Sequence, residues 1–335
     1  MTSDGNTDSA SLAGRFPYRR LAGVVIAFGL LAALLIVADP EAVASELADI
    51  RAEWYLLGGV CFLGGYLPAT VRWNQLQRTA GYPSHNRVAF EVIAVSYALN
   101  QLLPVNAGDV TRTAVVDRYY EVKSHPELAG LVVVERAIDF CVVVVLLGVG
   151  SLVVAAELVP VETYATGALL VVGGIAVIAG LWWRLGTDAS RVADRLASRP
   201  WVPAVVATSV ADFVGALGGL SRRTVTVVTL LGVARWLFVV AGFFLVARSV
   251  ETPVGPALAA ALVGGMSLAS VLPLTPGGVG PGETVGVSVL VVGGVAEPAA
   301  VALVLLQRSY GVLLMAPLGI IVYLANVISG RPTQR

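Results

Sequence analysis

The segment Val271-Leu-Pro-Leu-Thr-Pro-Gly-Gly-Val-Gly-Pro-Gly-Glu283 decides how this chain is arranged. It contains three prolines, four glycines and one carboxylate, and apolar runs flank it on both sides. Proline removes a backbone donor and glycine admits left-handed dihedrals, so the segment predicts a break in a helix. Lipid tolerates irregular backbone only where it is buried in protein or lines a wet cavity. The break, which ends at Glu283, is therefore the first candidate for a functional site.

The composition is that of a membrane protein. Of 335 residues, 57% are hydrophobic and 13% are charged, whereas soluble domains carry about 25% charged residues. The mean hydropathy is +0.82. These values predict an all-α, polytopic membrane helix bundle. The net charge is zero, so no nucleic-acid partner is expected. His85 and His125 stand without nearby ligand residues, so neither a metal nor another cofactor is expected.

Apolar runs outside the break predict further membrane elements. Six full spans and two broken elements are expected, about eight spans by a conventional count. The full spans are residues 21–38, 54–71, 128–156, 164–183, 224–247 and 299–326, and the broken elements are residues 88–116 and 256–295. Residues 201–220 either cross the membrane or lie along its inner face. Residues 20–326 are expected to form one transmembrane domain between a disordered tail, 1–19, and a short tail, 327–335.

Loop charges predict the orientation of the chain. Residues 39–53 are rich in acids, whereas arginines precede the first span and follow the second. By the positive-inside rule both termini are expected on the cytoplasmic side of the plasma membrane. The same reasoning makes the first broken element enter and leave from the cytoplasmic side and the second from the outer side.

The two broken elements resemble each other. The first runs from Pro104 to Gly108 and Asp109, and Arg136 follows that acid by 27 residues. In the second, Arg308 follows Glu283 by 25 residues. Paired interrupted segments are typical of inverted-repeat transporters with a site near the membrane midplane. The alternative is that proline and glycine are simply frequent in membrane helices. The predicted breaker backbone consists of Pro104, Gly108, Pro273, Pro276, Gly277, Gly278 and Gly280.

Arg235 is the most informative charge, because it lies near the middle of an apolar run. A guanidinium there costs at least about 2.5–3.5 kcal/mol on insertion scales unless it is compensated. An anionic headgroup is one compensator, since a guanidinium binds phosphate oxygens in a bidentate manner. An internal ion pair with Glu283, Asp109 or Asp212 is the other. Both interpretations remain open.

The remaining charged residues also have two interpretations. Glu135, Arg136 and Asp139 form either a local cluster near the cytoplasmic end of their span or part of a headgroup site. Arg112 is either an entry site or an interfacial anchor.

We expect Asp109 and Glu283 to stabilise helix amino termini, with proton coupling as the alternative. The predicted headgroup residues are thus Arg112, Arg136, Arg235 and Arg308, and the predicted gating acids are Asp109, Glu135, Asp139 and Glu283.

Three motifs in order resemble the transmembrane region of lysylphosphatidylglycerol synthases and its stand-alone, flippase-like relatives. The matching parts are Asn100-Gln-Leu-Leu-Pro104 with Gly108-Asp109 and Arg112, Val134-Glu135-Arg136 with Asp139, and Leu272-Pro273 to Gly280 with Glu283 and later Arg308. The family usually carries Glu where this chain has Asp109. The bifunctional members add a soluble aminoacyl-transferase domain, whereas only nine residues follow Asn326, so lysyl transfer is not expected.

The resemblance implies lipid translocation or a role in envelope or glycolipid assembly. The leading hypothesis is a translocase, not an enzyme, that moves an anionic phospholipid or a polyprenyl-phosphate lipid between leaflets. Its partners would be membrane lipids and envelope or glycolipid assembly proteins. The alternatives are a membrane enzyme acting on a polyprenyl-linked sugar and a non-transporting accessory subunit.

Overall fold

A computed structural model describes residues 39–82, 85–102, 107–117, 125–155, 219–270 and 279–328. The described residues are nearly all helical. The predicted spans at residues 21–38 and 164–183, the ambiguous segment 201–220 and both predicted tails lie outside the described residues or at their edge. The same holds for Pro104, Pro273, Pro276, Gly277 and Gly278.

Four helical segments among the described residues are long and apolar enough to cross a membrane. They are Ala52–Thr79, His125–Ala155, Arg222–Ser249 and Glu297–Ala325. Together with the shorter apolar helices they form a polytopic helical membrane bundle, as the composition predicted. The second predicted span was too short, because its helix continues past residue 71 to Thr79 and carries charged and polar residues into the bundle.

In chain order, a short helix comes first and the first described span follows in two parts. Helix α1 (Pro40–Ala48) begins at Asp39, whose carboxylate accepts a hydrogen bond from the amide of Glu41. The span consists of α2 (Ala52–Gly64) and α3 (Tyr66–Thr79), which meet at Gly65 in nearly helical geometry.

The first broken element is confirmed as two helices, α4 (Asn86–Leu102) and α5 (Ala107–Asp117). They pack directly against each other. A methyl group at Gly108 would lie 1.9 Å from the carbonyl oxygen of Ser96, so only glycine permits this approach. The element is a tight helical hairpin.

Two long helices follow, α6 (His125–Ala155) and α7 (Arg222–Ser249). Helix α7 begins at Ser221, whose hydroxyl accepts a hydrogen bond from the amide of Thr224. At about 1.5 Å per residue, Asp139 and Arg235 each lie roughly 20 Å from both ends of their helices. Their charges are therefore placed near the middle of two spans.

The second broken element is also confirmed as two helices, α8 (Pro256–Ala269) and α9 (Pro281–Val292). They pack against each other, and α8 also packs along α6. Helix α9 begins with Pro281 at its first position after Gly280, which has a φ of 96°. A proline at this position loses no helical hydrogen bond, so the local sequence fixes the start of α9.

The last span consists of α10 (Glu297–Tyr310), a π-helical turn (Gly311–Met315) and α11 (Ala316–Ile328). The π-helical turn lies against α4, and the side chain of Gln101 occupies the space that a side chain at Gly311 would need. A single-turn π-bulge is frequently found at functional sites. Here it adjoins the hairpin that carries Asp109.

Candidate functional site

Charged side chains from α3, α5, α6 and α7 meet inside the bundle. We name this group the charge cluster: Arg72, Arg112, Arg136 and Arg235 with Asp109, Glu135 and Asp139. Four guanidiniums face three carboxylates, so the cluster carries one excess positive charge among the described residues. Because buried charges are costly unless paired, the pairing inside the cluster determines which arginines remain available to a ligand.

Arg72 is fully buried and paired on both sides. Its guanidinium donates to Glu135 Oε1 and to Asp139 Oδ1, both at 2.7 Å. Arg72 was not predicted as a site residue, because the loop charges assigned it to the cytoplasmic side of its span. A signal was present, since Ala69, Trp73 and Leu76 share the same face of α3 as Arg72, and all are buried.

Arg112 is also fully buried and is neither an entry site nor an interfacial anchor. Its guanidinium donates to Glu135 Oε2 at 2.8 Å and to Ser96 Oγ at 3.0 Å. It also lies 3.2 Å from Asp109 Oδ1 and stacks over the ring of Trp73. The predicted headgroup role of Arg112 gains no support from this arrangement, because its Nε and Nη1 are hydrogen-bonded and its side chain lines neither of the cavities described below.

Glu135 and Asp139 occupy one face of α6, as their spacing predicted. A local pair is present, since Arg136 Nη1 lies 3.6 Å from Asp139 Oδ2, but the shorter contacts of both acids are with other helices. Glu135 is held between Arg72 and Arg112. Asp139 accepts hydrogen bonds from Arg72 and from the indole N–H of Trp236 at 3.0 Å. The two acids therefore join several helices as well as pairing locally.

Arg136 points toward the first hairpin. Its Nη2 and Nε atoms lie 2.7 Å from the two oxygens of Asp109, and the side chain is 36% exposed. Asn100 donates to the same carboxylate at 3.1 Å. The described contacts of Asp109 are thus with side chains, and residue 106, whose amide Asp109 would cap, lies outside the described residues.

Arg235 pairs with an acid that was not proposed from the sequence. Its Nη1 lies 3.4 Å from Asp139 Oδ2, instead of close to Glu283 or Asp109, and Asp212 lies outside the described residues. The guanidinium carbon lies 5.2 Å from the ring centroid of Tyr97 and 4.7 Å from that of Trp236. Two aromatic rings therefore position this guanidinium, and one distant ion-pair contact neutralises it in part.

Glu283 and Arg308 form a separate pair at the second hairpin. Arg308 Nε lies 3.5 Å from Glu283 Oε1. The other oxygen of Glu283 accepts from the amide of Gly280 at 2.6 Å. This contact confirms the predicted capping role of Glu283 at the start of α9.

Two cavities adjoin the charge cluster. The large cavity has a volume of about 630 Å³ and the small cavity about 150 Å³. They share Gln101, Arg136 and Val239. The charged residues of the large cavity are Asp109, Arg136, Asp139, Glu283 and Arg308, and those of the small cavity are Arg136 and Arg235. Three of the four predicted headgroup arginines therefore border two neighbouring cavities that share lining residues, and Arg112 lines neither of them.

The family model described as the lysylphosphatidylglycerol synthase TM region matches residues 20–319. The chain belongs to this family. No curated protein matches the chain closely enough to count as a relative.

The matched region of this lysylphosphatidylglycerol synthase TM-region protein contains the whole charge cluster and both cavities. It also contains Arg72 and Trp236, which were not assigned to the site from the sequence. The match supports a membrane role and identifies neither a substrate nor a reaction.

Proposed function

We propose that this protein moves an anionic phospholipid or polyprenyl-phosphate lipid between the leaflets of the plasma membrane, with both termini on the cytoplasmic side. It would act as a transporter, not as an enzyme, with membrane lipids as its partners and envelope or glycolipid assembly proteins as further ones. The observation that carries the proposal is the position of Arg136, Arg235 and Arg308 around two neighbouring cavities of a membrane bundle, which share Arg136 as a lining residue.

The charge balance favours an anionic ligand. Arg72 and Arg112 are fully buried and paired with acids. Arg136 and Arg235 also pair with acids, Asp109 and Asp139, but both keep partial exposure beside the cavities. The cluster as a whole holds one excess positive charge. A phosphate would neutralise that charge and receive bidentate hydrogen bonds from the guanidiniums.

The depth of the cluster suits transport more than binding at one surface. Asp139 and Arg235 lie midway along α6 and α7, and both helices qualify as membrane spans. A charged site close to the midplane, flanked by two broken helical elements, is the arrangement expected of alternating-access transporters. Either hairpin would then control access from one side.

The apolar wall of the large cavity suits a lipid. Val133, Phe140, Phe243 and Val263 line it, and Val133 and Phe140 are also exposed on the surface of α6. The cavity wall is therefore continuous with a surface that faces acyl chains in a membrane bundle. A headgroup can enter the cavity while its chains remain in the bilayer.

A lipid-movement assay in reconstituted vesicles tests the proposal. Purified protein should accelerate the appearance of fluorescently labelled phosphatidylglycerol in the opposite leaflet, and the substitutions R235Q and R308Q should abolish most of the acceleration. R248Q is the matched control, because Arg248 is exposed on the same helix as Arg235 and stacks on Phe244. Rates equal to those of protein-free vesicles would reject transport of this lipid class. Protease accessibility of tags at the two termini tests the orientation.

A further inference from the structure

The small cavity differs from the large one in its charge. Arg136 and Arg235 line it, whereas no carboxylate stands among its described lining residues. The large cavity, by comparison, is lined by three acids, Asp109, Asp139 and Glu283. The guanidiniums of Arg136 and Arg235 pair with Asp109 and Asp139, which line the large cavity. The described lining of the small cavity thus offers guanidinium groups without a carboxylate, which favours an anion over a cation there.

Arg235 is held in a fixed orientation at this cavity. The rings of Tyr97 and Trp236 lie over its guanidinium, and a stacked guanidinium keeps its N–H donors in the plane, pointing to its edge. Among the described residues, only Asp139 accepts a hydrogen bond from Arg235, at 3.4 Å. Other N–H groups at the edge of the Arg235 guanidinium are thus available to a ligand. Because the side chain is already oriented, binding costs little conformational entropy.

Two phenols of the small cavity are buried without a hydrogen-bond partner. Tyr66 is 2% exposed and Tyr97 is 8% exposed, and both line the cavity. Their hydroxyl oxygens have no hydrogen-bond partner among the described residues. Burial of an unpaired hydroxyl is unfavourable, so the two phenols indicate that a polar ligand or water completes the site. Both hydroxyl oxygens have almost no accessible surface, so a phenol would donate to an anion between the two guanidiniums after a small shift toward the cavity.

We propose that the small cavity is a phosphate site formed by Arg136, Arg235, Tyr66 and Tyr97. Its volume is about five times the ~30 Å³ that one water occupies in the liquid, which suits a phosphate group. The phosphate belongs either to a lipid or to free inorganic phosphate. The lipid source rests on the proposed function, and the remainder of the lipid would then occupy the large cavity through the shared wall at Gln101 and Arg136.

Calorimetric binding to the full-length protein in detergent tests the phosphate site. The probes are short-chain dihexanoyl phosphatidic acid, inorganic phosphate and, as a control for partition into micelles, dihexanoyl phosphatidylcholine. We expect saturable binding of phosphatidic acid. The double substitution Tyr66→Phe with Tyr97→Phe should weaken it at least about tenfold, since each hydrogen bond to a charged group contributes substantially. R235Q should weaken it at least as much, and R248Q should leave it unchanged.

The double tyrosine variant keeps both rings, so it retains the stack on Arg235. Because the removed hydroxyls have no described partner, its melting temperature without ligand should not fall below that of the wild type, which separates a binding defect from misfolding. If inorganic phosphate competes with phosphatidic acid, the site accepts the free anion. If phosphatidic acid binds and inorganic phosphate does not compete, the site is specific for the phosphate of a lipid. Equal affinity of wild type and double variant, or loss of binding in R308Q but not in R235Q, would overturn the proposal. Phosphate binding without lipid movement would refute only the transport function.

Discussion

The carboxylate of Asp109 is paired with the guanidinium of Arg136 at 2.7 Å through both of its oxygens. Glu283 and Arg308 are paired at the second hairpin through one longer contact, at 3.5 Å. In each half of the chain, the acid in the first turn of the second hairpin helix contacts an arginine of the following span. The two broken elements therefore share a contact as well as a sequence pattern, which supports the interpretation that they are repeats.

Removal of the acid in the first pair should destabilise the protein and reduce transport. D109N removes the negative charge that stabilises the guanidiniums of Arg136 and Arg112. The full loss for a buried pair is about 3–5 kcal/mol, and we expect about 2 kcal/mol here because Arg136 is 36% exposed. Thermal unfolding in detergent measures the loss. The charge-balanced double variant D109N/R136Q should recover about half of it, and a double variant less stable than D109N alone would contradict the pairing.

Arg72 should be a structural residue, unlike the arginines of the cavities. R72M leaves Glu135 and Asp139 buried with one fewer cation, so we expect a loss of about 3–5 kcal/mol in unfolding free energy. Size-exclusion profiles and melting curves of the purified variant measure this. R308Q serves as the comparison, because Arg308 lies at a cavity and is 22% exposed. If R72M were as stable as R308Q, Arg72 would not be part of a buried core.

Glu283 should tolerate an amide better than a truncation. E283Q keeps an oxygen that can accept from the amide of Gly280 and loses only the charge in the contact with Arg308. E283A loses both, so its unfolding free energy should fall by about 1 kcal/mol more than that of E283Q, the usual loss for a helix cap. Melting temperatures of the two variants distinguish these outcomes. Equal destabilisation by both would assign the effect to the Arg308 ion pair instead of the cap.

Gly108 should resist any side chain. In G108A the new methyl group would lie 1.9 Å from the carbonyl oxygen of Ser96, so α5 must move away from α4. Overpacking typically costs about 1–3 kcal/mol, and we expect the upper end because the opposing atom belongs to the backbone. G255A is the control, since nothing lies within 4 Å of a methyl group there. A melting temperature for G108A equal to that of G255A would show that the hairpin is not tightly packed.

Local residue chemistry was sufficient to predict the broken elements. Proline and glycine restrict or free the backbone of their own residues, so the pattern around Gly108 and Gly280 predicted where helices end and begin. The confirmed bounds of α4, α5, α8 and α9 follow those signals. The capping role of Glu283 was predictable for the same reason, because its partner Gly280 is only three residues away.

The partners of the buried charges were not predictable in this way. Arg72 and Asp139 are 67 residues apart, and Trp236 and Asp139 are 97 residues apart. A periodic pattern shows which face of a helix is buried, and it does not show which other helix covers that face. Arg72 was therefore placed at the cytoplasmic side of its span, and Asp139 was not among the acids considered as partners of Arg235.

Sequence by itself determined that this is a helical membrane protein with two interrupted elements, because hydropathy and backbone restriction act locally. Only the tertiary structure decided that Arg72 and Arg112 are occupied by buried acids while Arg136, Arg235 and Arg308 border the cavities. That division depends on how helices far apart in the chain pack, since the free energy of a buried charge is set by the groups that surround it in space.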